Sequence, residues 1–297
     1  MSLSADACSR VPGAWTAARG RSTIAAMREP MTRVAIDSGH LETVVLGSGD
    51  PVALVPTALT ADELLPLAQR LRDRFRVVHY HRRGYAGSSP ATPPGSIAQD
   101  AGDCARLLAA LGLQRVHVLG VSYSAAVALQ VAADHPDVVR TLTLVEPPPV
   151  HGPGDAAFRA ASADLLGDRQ ARGVEAAVDR FLTRMTGPDW RGQLDGVVPG
   201  SSAQVVRDGG TFLDVDVPAL LDWPFDASTA ARVRCPVLHV AGSDHGSLFD
   251  GVGELIRAWL PQADQVVVAG AGHDVALTHP EALLGVLVPF LTRHRIG

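Results

Sequence analysis

The sequence predicts an α/β architecture: a mostly parallel central sheet with helices on both faces and an all-helical segment inserted into it. Three observations lead there. Short, β-branched apolar runs alternate with helical stretches along most of the chain, as in strand–helix–strand units. Runs such as Val52–Val55 are continuously apolar, as strands buried on both faces are. The alternation stops after residue 146 and resumes near residue 237, and the stretch between carries helical and loop patterns alone.

Thr32–Ile36 and Leu41–Leu46 are short strands, and Asp37-Ser38-Gly39 between them makes a hairpin. Gly47-Ser48-Gly49-Asp50-Pro51 is a turn into the strand Val52–Val55. A helix follows, with Leu64, Leu65, Leu67 and Leu71 on one side, then the strand Arg76–Tyr80. The cycle repeats as a helix over 98–111, a strand at Val116–Leu119, a helix over 124–134 and a strand at Thr141–Val145. After the interruption come Val237–Ala241, a helix near 251–259, Val266–Val268 and a terminal helix from Pro280 to Arg293. The interruption opens on Pro147-Pro148-Pro149 and includes Val178, Phe181, Leu182 and Met185 at helical spacing. This divides the chain into a core of residues 32–146 and 233–297 and a helical cap of residues 147–232. An insertion at the C-terminal edge of a parallel sheet sits where ligands bind. Residues 1–31 read as a tail, either disordered or the result of a start assigned upstream of Met27 or Met31. They lack the continuous apolar stretch of a secretory signal.

Of the 297 residues, 46% are hydrophobic, enough for one large core. The 26 cationic side chains are all Arg, against 31 acidic ones, for a formal net charge of −5. A mildly acidic chain without a basic block is a poor partner for nucleic acid or an anionic membrane. There is no Lys and no Asn. That excludes a pyridoxal Schiff base and a Walker A phosphate loop, which need Lys, and N-glycosylation, which needs Asn. Cys8, Cys104 and Cys235 are far apart and form neither a metal-ligand spacing nor a disulfide framework. No apolar run reaches the length of a membrane span. A reduced, cytoplasmic setting, with no metal and no organic cofactor, is expected.

The chemistry centres on Gly120-Val121-Ser122-Tyr123-Ser124, which joins the strand Val116–Leu119 to an Ala- and Val-rich helix. A Ser on a sharp strand-to-helix turn has its hydroxyl pushed out above the sheet, and residues two positions either side must be small. Gly120 and Ser124 meet that need. The plain structural alternative is a helix cap. The partner base is His273, which follows the strand Val266–Val268 through Ala269-Gly270-Ala271-Gly272. His79, His117 and His239 lie inside strands, and His81, His135, His279 and His294 fall at expected surface positions. Two carboxylates can complete the set. Glu146 ends the strand Thr141–Val145, and Asp244 follows Val237–Ala241. Either can accept the imidazole N–H and stabilise an imidazolium. Arg82 and Arg83 are expected to pair with carboxylates of the core.

From these motifs, residues 32–297 resemble the α/β-hydrolase superfamily, whose chain order is nucleophile, acid, histidine. Arg82-Arg83-Gly84-Tyr85-Ala86-Gly87-Ser88 and Gly272-His273 followed by Pro280-Glu281-Ala282 add to the likeness, and the insertion looks like that family's cap. The family's acid after the later strand stands three residues beyond a Gly, a position held here by His245. Some members, the fungal zearalenone lactone hydrolases among them, carry a Glu where Glu146 stands. The family often has His-Gly after the third strand, whereas this chain has Pro56-Thr57-Ala58-Leu59. The resemblance implies that the Ala58 amide, with that of Tyr123, forms the oxyanion hole.

The expected activity is hydrolysis of a small, mostly apolar ester or lactone through a Ser-His-acid triad and an acyl-enzyme. Thr57, Trp190, Phe212 and Trp223 are the expected substrate contacts, and Phe181, Phe225 and Phe249 are further aromatic candidates. The same fold supports C–C hydrolysis, thioester hydrolysis, cofactor-free cyclisation or ligand binding without catalysis. A Ser at the elbow argues against epoxide hydrolase or dehalogenase chemistry, which uses a carboxylate there. Oligomeric state is not legible.

Overall fold

A computed structural model describes residues 30–296, so residues 1–29 of the expected tail lie outside the described residues. Met31 already packs against the core. The eight strands are β1 Thr32–Ile36, β2 Gly39–Leu46, β3 Pro51–Val55, β4 Arg76–Tyr80, β5 Val116–Val121, β6 Val139–Val145, β7 Val237–Gly242 and β8 Ala263–Val268. They form one sheet in the order β1-β2-β4-β3-β5-β6-β7-β8. β1/β2 and β2/β4 pair antiparallel, and every pairing from β4/β3 to β7/β8 is parallel. The chain runs from β3 outward to β4, then crosses back to β5 on the other side of β3. The β3 and β5 loops therefore diverge at their C-terminal ends and open a crevice at this switch point.

Strands β5 and β7 are buried at every residue, because helices cover both faces. On one face lie α2 (Ile97–Ala110) and α3 (Tyr123–Asp134), with Leu107, Val127 and Val131 packed on Val116 and Val118. The same face carries α10 (Val252–Trp259), with Val252 and Ile256 in that core. On the other lie α1 (Leu65–Leu71) and, after the short α11 (Val275–Thr278), the terminal α12 (Pro280–Arg293), with Leu67, Leu71, Leu283 and Leu287 packed on Leu54 and Leu238. Between β6 and β7 the chain forms α4 Asp155–Arg172, α5 Val174–Thr186, α6 Trp190–Val197, α7 Ser201–Thr211, a π-helical turn Phe212–Asp216, α8 Val217–Leu221 and α9 Ala227–Ala230. This insertion has its own core of Leu165, Val178, Leu182, Trp190, Val205 and Leu213, which reaches Leu59 of the β3 loop. No helix among the described residues is long and apolar enough to cross a membrane.

His81, expected near the surface, is buried between Glu42 at 3.0 Å and Asp62 at 2.8 Å. Burial works against its charge, but the hydrogen bonds to both carboxylates dominate and raise its pKa to about 9. Arg82 and Arg83 do pair with buried carboxylates. Arg83 joins the α2 residue Asp103 to the hairpin, donating to the Ser38 carbonyl at 2.9 Å and hydroxyl at 2.7 Å. Asp103→Ala would strand the buried guanidinium. We expect it to destabilise the protein by about 3–5 kcal/mol, as loss of one partner of a buried pair does. Urea unfolding checks this, and a midpoint equal to wild type would contradict it.

Candidate active site

Ser122 occupies the first position after β5 and has φ 52° and ψ −122°, a left-handed conformation for a residue with a Cβ. Such a conformation costs of order 1–3 kcal/mol and persists only where its surroundings enforce it. Two neighbours do so. A Cβ on Gly120 would stand 2.1 Å from the Ser124 carbonyl oxygen, so only glycine fits there. Ser124 folds its hydroxyl back, donating to the Val121 carbonyl at 2.9 Å and accepting the Val121 amide at 2.8 Å. Its side chain is thereby absorbed where a glycine is commoner. The Ser122 side chain makes no capping bond to α3, so the plain helix-cap alternative does not describe it.

The Ser122 hydroxyl lies 2.9 Å from Nε2 of His273, and Nδ1 of that ring lies 3.2 Å from Oε2 of Glu146. A ring that donates from Nδ1 to the carboxylate leaves Nε2 to accept the Ser122 proton. Glu146, at φ 47° on the tip of β6, donates its amide to the Val240 carbonyl at 2.9 Å. Its fully buried carboxylate also accepts the Gly242 amide and faces Nδ1 of His245 at 3.2 Å. A Cβ on Gly242 would meet the Ala271 carbonyl at 2.1 Å, so glycine lets the His273 loop close over β7. Phe249 stacks on the His273 ring with centroids 4.3 Å apart.

Asp244, the other carboxylate expected from the sequence, does not meet His273. It is exposed and accepts the Ser243 hydroxyl at 2.7 Å, because its amide is tied to the Ala271 carbonyl and turns the side chain outward.

Above Ser122 lies a cavity of about 170 Å³ between the sheet and the insertion. Of the residues named from the sequence, Thr57, Ala58, Tyr123, Trp190 and Phe212 line it. Trp190 also serves the insertion itself, donating its indole N–H to Asp179 at 3.1 Å. The amides of Ala58 and Tyr123 have no acceptor among the described residues. Trp223 does not reach the cavity. Its indole N–H donates to Gln130 at 2.8 Å and its ring packs on Phe225 and His151, so it anchors the insertion to α3.

Apolar walls come from Phe158, Phe181, Leu182 and Leu220. Two acidic residues that sequence reasoning passed over, Glu63 and Asp274, also line the cavity. Asp274 could have been found as the neighbour of His273; Glu63 has no sequence signal beyond an acid near the β3 loop. Burial pushes the Glu63 carboxyl up to about 7, with Asp274 adding to the shift. Burial raises Asp274 as well. For His273, burial favours the neutral ring, but the Glu146 hydrogen bond and the charges of Asp274, Glu146 and Glu63 outweigh it and hold the pKa above the ordinary value.

The profile of the alpha/beta hydrolase fold matches residues 61–184. A protein of Caulobacter sp. (strain K31) named "Putative carbamate hydrolase RutD" is 30% identical over 233 residues, covering 76% of this chain and 84% of that protein. Among solved structures, a thermophilic esterase from Thermogutta terrifontis superimposes with a TM-score of 0.73 at 18% identity, covering 90% of this chain and all (100%) of that one. The enol-lactonase from Burkholderia xenovorans LB400 also gives 0.73, at 20% identity, covering 88% of this chain and 100% of that one. At such identities the two structures speak for the fold alone.

The geometry makes a direct demand on the imidazole. In Glu146→Gln, and to a smaller degree in Glu63→Gln, loss of a neighbouring negative charge lowers the His273 pKa, while Asp244→Asn leaves it in place. NMR titration of the ring protons reads this, and an unmoved His273 in Glu146→Gln would contradict the pairing.

Proposed function

The chain belongs to the α/β-hydrolase superfamily, and from that premise we propose that it is a serine hydrolase of small, mostly apolar carboxylic esters or lactones. The observation that carries this is the 2.9 Å contact between Nε2 of His273 and the strained Ser122 hydroxyl on the floor of a largely apolar cavity. His273 takes the Ser122 proton as Oγ attacks the carbonyl carbon. The tetrahedral oxyanion is held by the Ala58 and Tyr123 amides, which have no competing acceptor among the described residues. The N-terminus of α3 favours the same negative charge. Glu146 stabilises the imidazolium and fixes its tautomer without taking the proton. His273 then protonates the leaving alkoxide. Water, deprotonated by the same ring, releases the acid and restores Ser122. No step calls for a metal or an organic cofactor.

In this reading the insertion of residues 147–232 is a cap that supplies the apolar wall for the acyl or alcohol part. The esterase and lactonase among its structural neighbours fit that chemistry. The name of the Caulobacter relative favours a second substrate, a carbamate, whose carbonyl would be attacked by the same route. Parallel assays on ester, lactone and carbamate series separate the two.

The purified protein is expected to turn over an activated ester and to be labelled by a fluorophosphonate at Ser122. Ser122→Ala should abolish the labelling, and Glu146→Gln should lower kcat by about 10⁴-fold, as loss of the triad acid does in serine proteases. A wild-type protein that shows no turnover and no labelling would end the proposal. The acid limb of kcat/KM should have its midpoint above 6.5, the ordinary His value, because the base must be neutral and its pKa is raised. Replacing Glu63 by Gln should move that limb to lower pH. A pH–rate profile of each protein checks the sign.

A further inference from the structure

The β3 loop that carries Ala58 lacks the His-Gly pair, and Leu59 within it sits at φ 66°. What holds this loop comes from elsewhere. Arg82, at the end of β4, donates from Nε to the Pro56 carbonyl at 3.1 Å and from Nη2 to the Thr57 carbonyl at 3.4 Å. The Tyr85 hydroxyl accepts the Leu59 amide at 2.9 Å. Residues on both sides of Ala58 are thus tied to Arg82 and Tyr85. Arg82 also donates to Asp100 at 2.6 Å, and the same carboxylate oxygen accepts the Tyr123 hydroxyl at 2.9 Å. The guanidinium lies over the Tyr123 ring, 4.4 Å from its centroid. One cation therefore touches the Thr57 carbonyl, which shares a peptide unit with the Ala58 amide, and the ring of Tyr123, whose amide is the other donor.

The orientation of Arg82 and Tyr85 is in turn set by the insertion. Asp216, the last residue of the π-helical turn, grips Arg82 with both oxygens, at 3.0 Å and 2.7 Å, and accepts the Tyr85 hydroxyl. Its side chain is 1% exposed. The π turn adds a residue to the helical register, so that Phe212 lines the cavity while Asp216, at the other end of the turn, points into the core. A bidentate carboxylate fixes both the place and the plane of a guanidinium. Among the described residues, nothing else in the insertion forms a salt bridge to Arg82.

We propose that Asp216 is a positioning residue for the oxyanion hole: by locking Arg82 and Tyr85, it makes the seating of the insertion and the alignment of the Ala58 and Tyr123 amides a single event. The inference rests on the serine hydrolase reading. It assigns the insertion a part in rate as well as in substrate shape. With Asp216 withdrawn, Arg82 keeps Asp100 but loses the partner that orients its second amino group, and Tyr85 loses the acceptor that aims its lone pairs at Leu59. The hole then loses alignment, although no group that touches substrate has changed.

The test uses the full-length protein and an activated ester, with acylation and substrate binding separated by rapid mixing, and hydrogen exchange followed in the peptide spanning residues 56–60. Asp216→Asn keeps the size of the side chain and removes its charge. It should slow acylation by about 10- to 1000-fold, at most the 100- to 1000-fold seen when an oxyanion donor is removed outright, with substrate dissociation little changed. It should also speed exchange of the amides of residues 57–60, which Asp216 does not touch. Asp216→Glu should recover part of both. If Asp216→Asn fails to fold, Tyr85→Phe, which leaves the Arg82–Asp216 pair standing, should slow acylation in the same way. Normal acylation and normal exchange in a folded Asp216→Asn overturn the proposal, as does a change confined to substrate binding. An inactive wild type would defeat the hydrolase reading instead, and the exchange arm would still report whether the insertion orders the loop.

Discussion

A crowded contact at the end of β5 underlies the whole site. The Ser124 carbonyl approaches the Gly120 backbone so closely that a single methyl group would collide with it. This contact bends the strand directly into α3 and leaves Ser122 no relaxed conformation. The strain is carried by packing on both faces of the sheet, where Leu107 and Val131 lie on one side and Leu67 and Leu283 on the other. The hydroxyl reaches His273 because the chain beneath it has no other course. Each neighbouring strand adds a tie of the same kind: the Ser122 amide donates to Val145, and the Glu146 amide to Val240. Ser122 and Glu146 thus stand at adjacent strand tips, and His273 on a loop that closes over the next strand.

The cavity sets two electrostatic demands against each other. Its walls are apolar, which favours a neutral His273 and neutral carboxyls. Glu146, Asp274 and Glu63 crowd the ring with negative charge and favour the imidazolium. The second demand outweighs the first and holds the His273 pKa above its ordinary value, which in the mechanism proposed above steadies the imidazolium that forms when Ser122 gives up its proton. A carboxyl such as Glu63, poised near neutrality, makes that balance sensitive to what occupies the cavity.

Much of this was legible in the sequence, for reasons that can be named. Ser122 was legible because a small-residue turn between a buried strand and a helix has few other uses. His273 was legible because the glycines before it mark a close approach, and Gly242 is the surface approached. Glu146 and Asp244 were not separable, since both stand at the tips of neighbouring strands. Only the backbone angle at Glu146 and the Asp244–Ala271 hydrogen bond decide which carboxylate turns inward. The sequence does not place Trp223, because an aromatic residue of the insertion can face the cavity or pack on α3, and nothing in its neighbours chooses between them. His81 reads as a surface residue because its partners, Glu42 and Asp62, are distant in sequence. The π turn that carries Asp216 inward has no local signature at all.

The insertion leaves the sheet from β6 and returns to it at β7, two strands that lie side by side, with Val145 opposite Val240. Its ends are therefore neighbours, and a segment of another length could be spliced between them without stretching the sheet. On the reading proposed above, this roof could be reshaped for another substrate while the floor stays as it is. One condition travels with that freedom. Any replacement must deliver an acid of its own to Arg82, or leave a guanidinium sealed in the interior with half its company gone.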